Sequence, residues 1–380
     1  MPTPPLPIPA DDKDLADQAR PGHGVPSQDP DSAAQFTLNP EEAQRESDSV
    51  LKAGGMVAGA ATGAAAGAGI GVLVGGPMGA MVGVGVGAVV GALGGTAATV
   101  LAQEASHTPS APATPIHLHI EDTAGHGRPV VLIHGWPLTA QAWRPQVSVL
   151  QTAGYRVVTY DRRGFGRSDK PDSDYSYDTL ADDLQQVLTQ CNLQDATLVG
   201  FSMGGGEVAR YIARHGQSRL HSVVFAAAVP PCLMQSADNP EGPLTPDAAH
   251  ASRQALAQDR DAFFETFTQR FFSAHGVLCV SELERNEAIA LCRQSAQHAA
   301  LACMDAFSTT DFRSDLKQIT VPMLVIHGDA AAIVPIEGSG ERTHQAIVHS
   351  QMVRVGGAPH GLNVSHAQAF NKALLSFLQV

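Results

Sequence analysis

The stretch ATLVGFSMGGGEVARYI, residues 196–212, decides the fold because it sets a G-x-S-x-G motif between two different elements. Residues 196–199 predict a short buried strand, and residues 205–212 predict a helix. A strand, a sharp turn and a helix hold Ser202 on a strained backbone, with its hydroxyl at the carboxyl edge of a sheet. Glycines beside the turn let strand and helix approach each other. The motif alone also allows a plain Gly/Ser turn in an ordinary α/β protein.

The chain before this motif supplies candidate oxyanion donors. Residues 129–133, PVVLI, predict a buried strand that ends in HGWP, residues 134–137. A loop there can direct the backbone N–H of Trp136 at a developing oxyanion, with the N–H of Met203 as its partner. A further strand leads into DRRGFGRS, residues 161–168, which we interpret as a tight turn with a structural role, with a direct catalytic role as the alternative.

The chain after the motif supplies a candidate acid and a candidate base. MLVI, residues 323–326, leads into HGD, and MVRV, residues 352–355, leads into GGAPHG, residues 356–361. A serine, then an acid after a late strand, then a histidine is the order found in hydrolases of the α/β type. His360 lies in a glycine-rich loop after the last strand, from which a base can reach Ser202, and it is the predicted general base. A structural histidine is the alternative, because the chain has 16 histidines.

These motifs resemble those of the cofactor-free haloperoxidase and aryl-esterase branch of the α/β-hydrolases, over residues of about 116–380. The matching stretches are HGWP (134–137), YDRRGFGRS (160–168), LVGFSMGGGEVARYIARHG (198–216), TDFRSDL (310–316), IVPIEGSG (333–340) and GAPHGL (357–362). The resemblance implies an α/β-hydrolase fold with a helical cap and a Ser–His–Asp site that uses neither metal nor haem. It also implies cleavage of esters and, with peroxide in place of water, formation of peracids that oxidise halide.

The chain departs from the family at the triad acid. In the family that acid stands three residues after the glycine at the end of the seventh strand, and here GDAAAIVP, residues 328–335, puts Ala331 in that place. Without the acid nothing fixes the tautomer of His360 or stabilises its imidazolium, at an expected cost on the order of 10⁴ in turnover. Three interpretations stay open: an introduced Asp→Ala substitution, a natural weak enzyme or pseudoenzyme, and replacement by another acid, first Asp329.

Residues of about 232–311, between the sixth and seventh strands of the family's sheet, predict the helical cap. This insertion contains Phe263, Phe264, Phe267, Phe271 and Phe272 at helical spacing. They predict a core between cap and body, with the lining of an acyl pocket as the alternative. The insertion has no charged cluster that suggests an ionic substrate, so a small or medium apolar ester or carboxylic acid is the expected ligand.

The front of the chain has a different composition. Residues 1–50 are rich in proline and contain ten Asp or Glu against three Lys or Arg. Such a segment cannot bury enough apolar surface to offset its ordering entropy, so we expect a disordered or partner-dependent arm. The sequence contains no basic patch, which argues against nucleic acid as a partner. No ordinary secretory signal is recognised at the start.

Residues 51–103 predict a glycine-zipper helical hairpin. Glycine recurs at every fourth position from Gly55 to Gly95, and no charged residue lies between Ala53 and Gln103. On a helix this pattern makes a smooth groove that another backbone can approach closely. A membrane-inserted hairpin, a soluble oligomerisation core and a flexible linker are the alternatives. The first two predict a homo-oligomer, either membrane-associated or cytoplasmic. Residues 104–115 then form a linker.

The five cysteines contain no C-x-x-C pair and predict reduced, buried thiols without a metal site or a disulfide framework. The sequence therefore predicts a two-part protein, an anchor or assembly hairpin followed by a serine hydrolase domain without a cofactor. The alternative from another class is a catalytically silent hydrolase fold that serves assembly or membrane interaction.

Overall fold

The structure, a computed structural model, describes residues 116–379. The predicted acidic arm (1–50), the predicted glycine-zipper hairpin (51–103) and the predicted linker (104–115) lie outside the described residues. These three predictions are not tested by the structure.

A seven-stranded sheet forms the centre of the described domain. Its order is β1-β3-β2-β4-β5-β8-β9; β1 runs antiparallel to β3, and the other neighbouring pairs are parallel. A separate antiparallel hairpin is formed by β6 and β7. The strands are β1 (Ile120–Asp122), β2 (Pro129–Ile133), β3 (Arg156–Tyr160), β4 (Ala196–Phe201), β5 (Leu220–Ala226), β6 (Ser273–Ala274), β7 (Val277–Leu278), β8 (Met323–Gly328) and β9 (Gln351–Val355).

Helices cover both faces of this sheet, as parallel strands require. A 3₁₀ helix (Ala140–Trp143) precedes α1. The α-helices are α1 (Arg144–Thr152), α2 (Tyr177–Gln190), α3 (Met203–His215), α4 (Pro246–Gln258), α5 (Arg260–Phe271), α6 (Glu282–Cys292), α7 (Gln297–Thr309), α8 (Arg313–Leu316), α9 (Gly340–Ala346), α10 (Leu362–Ser365) and α11 (Ala367–Leu378).

The strand that precedes Ser202 shows why the apolar runs of the sequence become the core. All six residues of β4, ATLVGF, are buried, because neighbouring strands lie on both sides and helices on both faces. The strand predicted over residues 129–133 is confirmed at those bounds as β2. The helix predicted from residue 205 begins earlier, at Met203, because Ser202 itself occupies its N-cap position.

The expected cap corresponds to an insertion between β5 and β8. It contains α4, α5, α6, α7 and the β6–β7 hairpin, all within the interval of 232–311. Helix α5 carries four of the five phenylalanines, of which Phe264, Phe267 and Phe271 are buried and Phe263 is half-buried; the buried Phe272 follows at the end of the helix. The cap therefore packs on the body through an aromatic face.

Two other features bear on the predictions. Within residues 116–379 no helix combines the length and the apolar character needed to cross a membrane. The cysteines are free thiols: Cys232, Cys292 and Cys303 are buried, but Cys191 and Cys279 are only half-buried. The prediction that every thiol is buried was therefore wrong for these two.

Candidate active site

Ser202 lies on a strained turn between β4 and α3. Its backbone has φ 54° and ψ −117°, a conformation that side chains other than glycine rarely adopt. The turn is held from both sides, because the N–H of Ser202 donates to Ala226 O at 2.8 Å and its carbonyl accepts from Gly205 N at 3.1 Å. A Cβ on Gly200 would lie only 2.7 Å from Gly205 N, so only glycine fits there. The structure therefore places Ser202 at the end of the sheet's central strand, as the motif predicts, and the residue is buried, with 6% of its surface exposed.

His360 follows β9 and faces the serine. Its Nε2 lies 3.0 Å from Ser202 Oγ, which is hydrogen-bonding distance. Two phenyl rings hold the imidazole: Phe201, with ring centres 5.3 Å apart, and Phe271 of the cap, edge to face at 5.2 Å. The next residue is also fixed to the cap, because Gly361 N donates to Phe271 O at 2.8 Å. Packing and a backbone bond thus orient the base.

Within residues 116–379, the base has no acid partner of the kind that completes a triad. His360 Nδ1 is buried and has no hydrogen-bond partner among residues 116–379. Ala331, at the family's acid position, is buried and has no polar side-chain atom.

The structure does not bring Asp329 to His360. Asp329 is exposed, and its carboxylate accepts a 2.6 Å hydrogen bond from Gly357 N. The reason is its register: Asp329 N donates to Val355 O at 3.3 Å, which aligns its side chain with the turn after β9. Asp329 therefore serves the loop that carries His360 and is not the hydrogen-bond partner of its ring.

Burial controls the charge of the candidate base. Burial lowers the pKa of His360 from 6.5 to about 3, with a smaller contribution from the neighbouring His327. The imidazole is therefore neutral at pH 7, the state in which Nε2 can accept a proton. The same low pKa means that the imidazolium is poorly stabilised, because no carboxylate of residues 116–379 bonds to Nδ1.

The predicted oxyanion donors lie on two segments beside Ser202. Met203 is the first residue of α3, and Trp136 lies in the loop after β2. That loop touches the nucleophile, since a Cβ on Gly135 would stand 3.1 Å from Ser202 Cβ. The structure thus brings the residue before Trp136 against Ser202, and Met203 lies at the N-terminal, positive end of α3.

The side chain of Trp136 serves a different purpose from its backbone. Its Nε1 donates to Ala300 O of α7 at 2.9 Å. Its ring makes edge-to-face contacts with Phe267 at 5.3 Å and Phe307 at 5.6 Å, and it also packs on Phe263 and Phe264. An apolar aromatic cluster from the cap therefore covers the oxyanion loop. Sequence reasoning singled out the α5 phenylalanines but missed Phe307, which is distant in sequence.

A buried ion pair behind the site was also missed. Arg162 Nε donates to Glu207 Oε2 at 2.8 Å, and the two side chains are 1% and 0% exposed. Tyr160 donates its hydroxyl to the other oxygen of Glu207. The sequence offered one signal, a glutamate one turn into a helix whose surrounding residues are small or apolar.

The described residues contain no evident metal-binding site. Within residues 116–379 no group of three His, Cys, Asp or Glu side chains converges in a way that could hold one. The convergent polar groups at the site are the hydroxyl, the imidazole and backbone N–H groups described above. These are the parts of an acyl-transfer site.

Comparison with known proteins agrees with this geometry. The model of the alpha/beta hydrolase fold family matches residues 128–367. A non-heme chloroperoxidase of Kitasatospora aureofaciens is 40% identical over 67% of this chain and 93% of its own length. A bifunctional esterase/perhydrolase of Acinetobacter calcoaceticus is 32% identical over 70% of this chain and 96% of its own length.

A solved structure gives the same result. The crystal structure of a bromoperoxidase from Bacillus anthracis is 50% identical, covers 70% of this chain and 97% of its own, and superposes with a TM-score of 0.69. These similarities extend over nearly the full length of each relative. The chain belongs to the α/β-hydrolase family and, within it, to the group that contains the non-heme haloperoxidases.

Proposed function

We propose that the domain is a serine hydrolase of the carboxylesterase and perhydrolase type, with Ser202 as nucleophile and His360 as general base. One observation carries this proposal: the 3.0 Å contact between His360 Nε2 and Ser202 Oγ on a strained strand-to-helix turn. A serine and a base at this distance are the minimum for nucleophilic acyl transfer.

The reaction follows from this arrangement. Ser202 Oγ attacks the carbonyl carbon of the ester while its proton passes to His360 Nε2. The N–H groups of Trp136 and Met203 hold the oxyanion, and the alkoxide leaves with the proton from His360. Water then attacks the acyl-enzyme and yields the carboxylic acid. Hydrogen peroxide in its place yields the peracid, and either step frees Ser202.

The substrate is a small or medium apolar ester or carboxylic acid. The surface above the oxyanion loop is aromatic, formed by Trp136 with Phe267 and Phe307. Such a surface favours an uncharged acyl group over an ionic one. Two relatives, a non-heme chloroperoxidase and a bifunctional esterase/perhydrolase, agree with acyl chemistry that uses either water or peroxide.

The activity is weak, because no acid in the described part of the chain bonds to His360 Nδ1. A second candidate function, a catalytically silent hydrolase fold, is favoured by the same observation: His360 Nδ1 is buried without a partner in the described part of the chain. The two candidates differ in whether Ser202 reacts faster than an unassisted serine.

Labelling with a fluorophosphonate probe separates them. We expect the unchanged chain to react at Ser202, with no label in Ser202→Ala and at least tenfold slower labelling in His360→Ala. Equal rates for the unchanged chain and His360→Ala would exclude base assistance and favour the silent fold. Acyl transfer to peroxide is then measured by halide oxidation in acetate with hydrogen peroxide, again with Ser202→Ala as the blank.

The role of residues 51–103 is a separate proposal that rests on the glycine repeat alone. They form an assembly or membrane hairpin that makes the protein an oligomer. Deletion of 51–103 is expected to lower the mass in sedimentation, to abolish binding to liposomes, or to do both. A deletion that changes neither would leave the segment without this role.

A further inference from the structure

The two candidate oxyanion donors belong to segments that the sequence separates by more than sixty residues. Trp136 lies in the loop after β2, and Met203 begins α3. An oxyanion site works only if its donors are fixed relative to each other before the reaction. In this structure one buried side chain, Arg162, bonds to both segments.

Arg162 is attached to the oxyanion loop by two hydrogen bonds. Its backbone N–H donates to His134 Nε2 at 3.0 Å, and its Nη2 donates to His134 O at 2.8 Å. Because His134 Nε2 accepts, the ring proton is on Nδ1, which donates to Gly135 O at 2.9 Å. This chain of bonds fixes the two residues immediately before Trp136.

The same side chain is attached to the helix that begins with Met203. Arg162 Nε donates to Glu207 Oε2 at 2.8 Å, and Glu207 stands four residues after Met203, on the same face of α3. Tyr160 bonds to the remaining carboxylate oxygen. The carboxylate is thus fully occupied, and α3 cannot rotate or slide without breaking one of these bonds.

We propose that Arg162 is a positioning residue that sets the distance between the N–H groups of Trp136 and Met203. The inference rests on the proposed function, since it concerns the same oxyanion site. The described hydrogen bonds of the Arg162 side chain reach neither Ser202 nor His360, so it acts through His134 and Glu207. A displacement of about 1 Å between catalytic groups can cost about 100-fold in rate.

A neighbouring ion pair provides a matched control. Arg163 donates to both oxygens of Asp183, at 2.5 and 2.6 Å, and the two side chains are 2% and 5% exposed. Arg163 also bonds to Asp174 O at 3.0 Å. None of its described hydrogen bonds reaches the oxyanion loop or α3. Loss of this pair therefore tests for general destabilisation of a buried ion pair.

The experiment compares two double variants of the full chain, Arg162→Met/Glu207→Gln and Arg163→Met/Asp183→Asn. Each removes one buried pair of charges and leaves an acceptor at the acidic position. Amide hydrogen exchange is measured for the peptide that covers residues 133–138. We also measure the affinity for phenylboronic acid, which forms a tetrahedral adduct with an active serine. The third measurement gives kcat and KM for p-nitrophenyl acetate.

Loss of the Arg162 pair is expected to speed amide hydrogen exchange in residues 133–138 at least tenfold. It is also expected to weaken the binding of phenylboronic acid at least tenfold. We expect kcat to fall while KM changes less than threefold, because the donors act mainly on the transition state. Loss of the Arg163 pair is expected to leave all three measurements within threefold of their values in the unchanged chain. Equal effects of both pairs on exchange would overturn the inference.

Failure of the proposed function gives a different result. If the unchanged chain neither binds phenylboronic acid nor turns over ester, the hydrolase proposal fails. The exchange comparison still decides whether Arg162 holds the loop to α3. Unchanged exchange after loss of the Arg162 pair would refute the positioning role even in an active enzyme.

Discussion

The substitution Ala331→Asp is expected to raise the turnover of this protein by about a thousandfold. The residue is buried at the family's acid position, and His360 Nδ1 is buried without a hydrogen-bond partner in the described residues. An ionised carboxylate at that position would accept a hydrogen bond from Nδ1–H, fix the tautomer and stabilise the imidazolium formed when Ser202 gives up its proton.

The magnitude follows from the charge that the site must carry. Burial lowers the pKa of His360 from 6.5 to about 3. A difference of that size corresponds to roughly 5 kcal/mol between the neutral and charged imidazole. A carboxylate that offsets most of this cost would accelerate proton abstraction by about 10³, since about 1.4 kcal/mol corresponds to tenfold in rate.

The assay is turnover of p-nitrophenyl acetate, with Ser202→Ala as the blank. Ala330→Asp is the matched control, because it introduces the same charge one residue away, at a half-buried position. Ala331→Asn separates orientation from charge, since an amide oxygen can accept a hydrogen bond from Nδ1–H but brings no negative charge. If Ala331→Asp folds normally and gains less than tenfold, the missing acid does not limit this site and the reasoning is refuted.

Three further predictions concern stability, each measured by urea unfolding. Gly200→Ala is expected to lower the free energy of unfolding by about 1–3 kcal/mol, because its Cβ would collide with the backbone of α3. Gly125→Ala should change the free energy of unfolding little, because a Cβ there would make no contact closer than 3.7 Å. Phe271→Ala should lower the free energy of unfolding by about 3–5 kcal/mol, and Phe263→Ala should lower it less because Phe263 is only half-buried. Burial lowers the pKa of His327 to about 4, so the free energy of unfolding falls as the pH drops from 6.5 toward 4. The variant His327→Gln should reduce the slope of the free energy of unfolding against pH by up to about 1.4 kcal/mol per pH unit. An unchanged slope would contradict this.

The sequence predicted those parts of the fold and site that local patterns specify. Ser202 was identifiable because a turn between strand and helix leaves a five-residue motif, and His360 because its loop follows the last strand. The strand over residues 129–133 was identifiable from its unbroken apolar run.

Contacts that join distant segments could not be predicted in the same way. The bond between Arg162 and Glu207 spans 45 residues, and neither neighbourhood alone reports it. The partner of Asp329 depends on the register between β8 and β9, which places its carboxylate on Gly357. The motif around Asp329 does not by itself report how β8 and β9 align.

The geometry of His360 explains how this site keeps its shape without an acid. In a complete triad the acid both orients the imidazole and stabilises its charge. Here orientation comes from Phe201, Phe271 and the bond from Gly361 to the cap, whereas nothing described replaces the stabilising charge. The two roles are therefore separated in this protein. Ala331→Asn, which can supply only orientation, should gain far less than Ala331→Asp, and a gain of equal size would mean that packing does not hold the base.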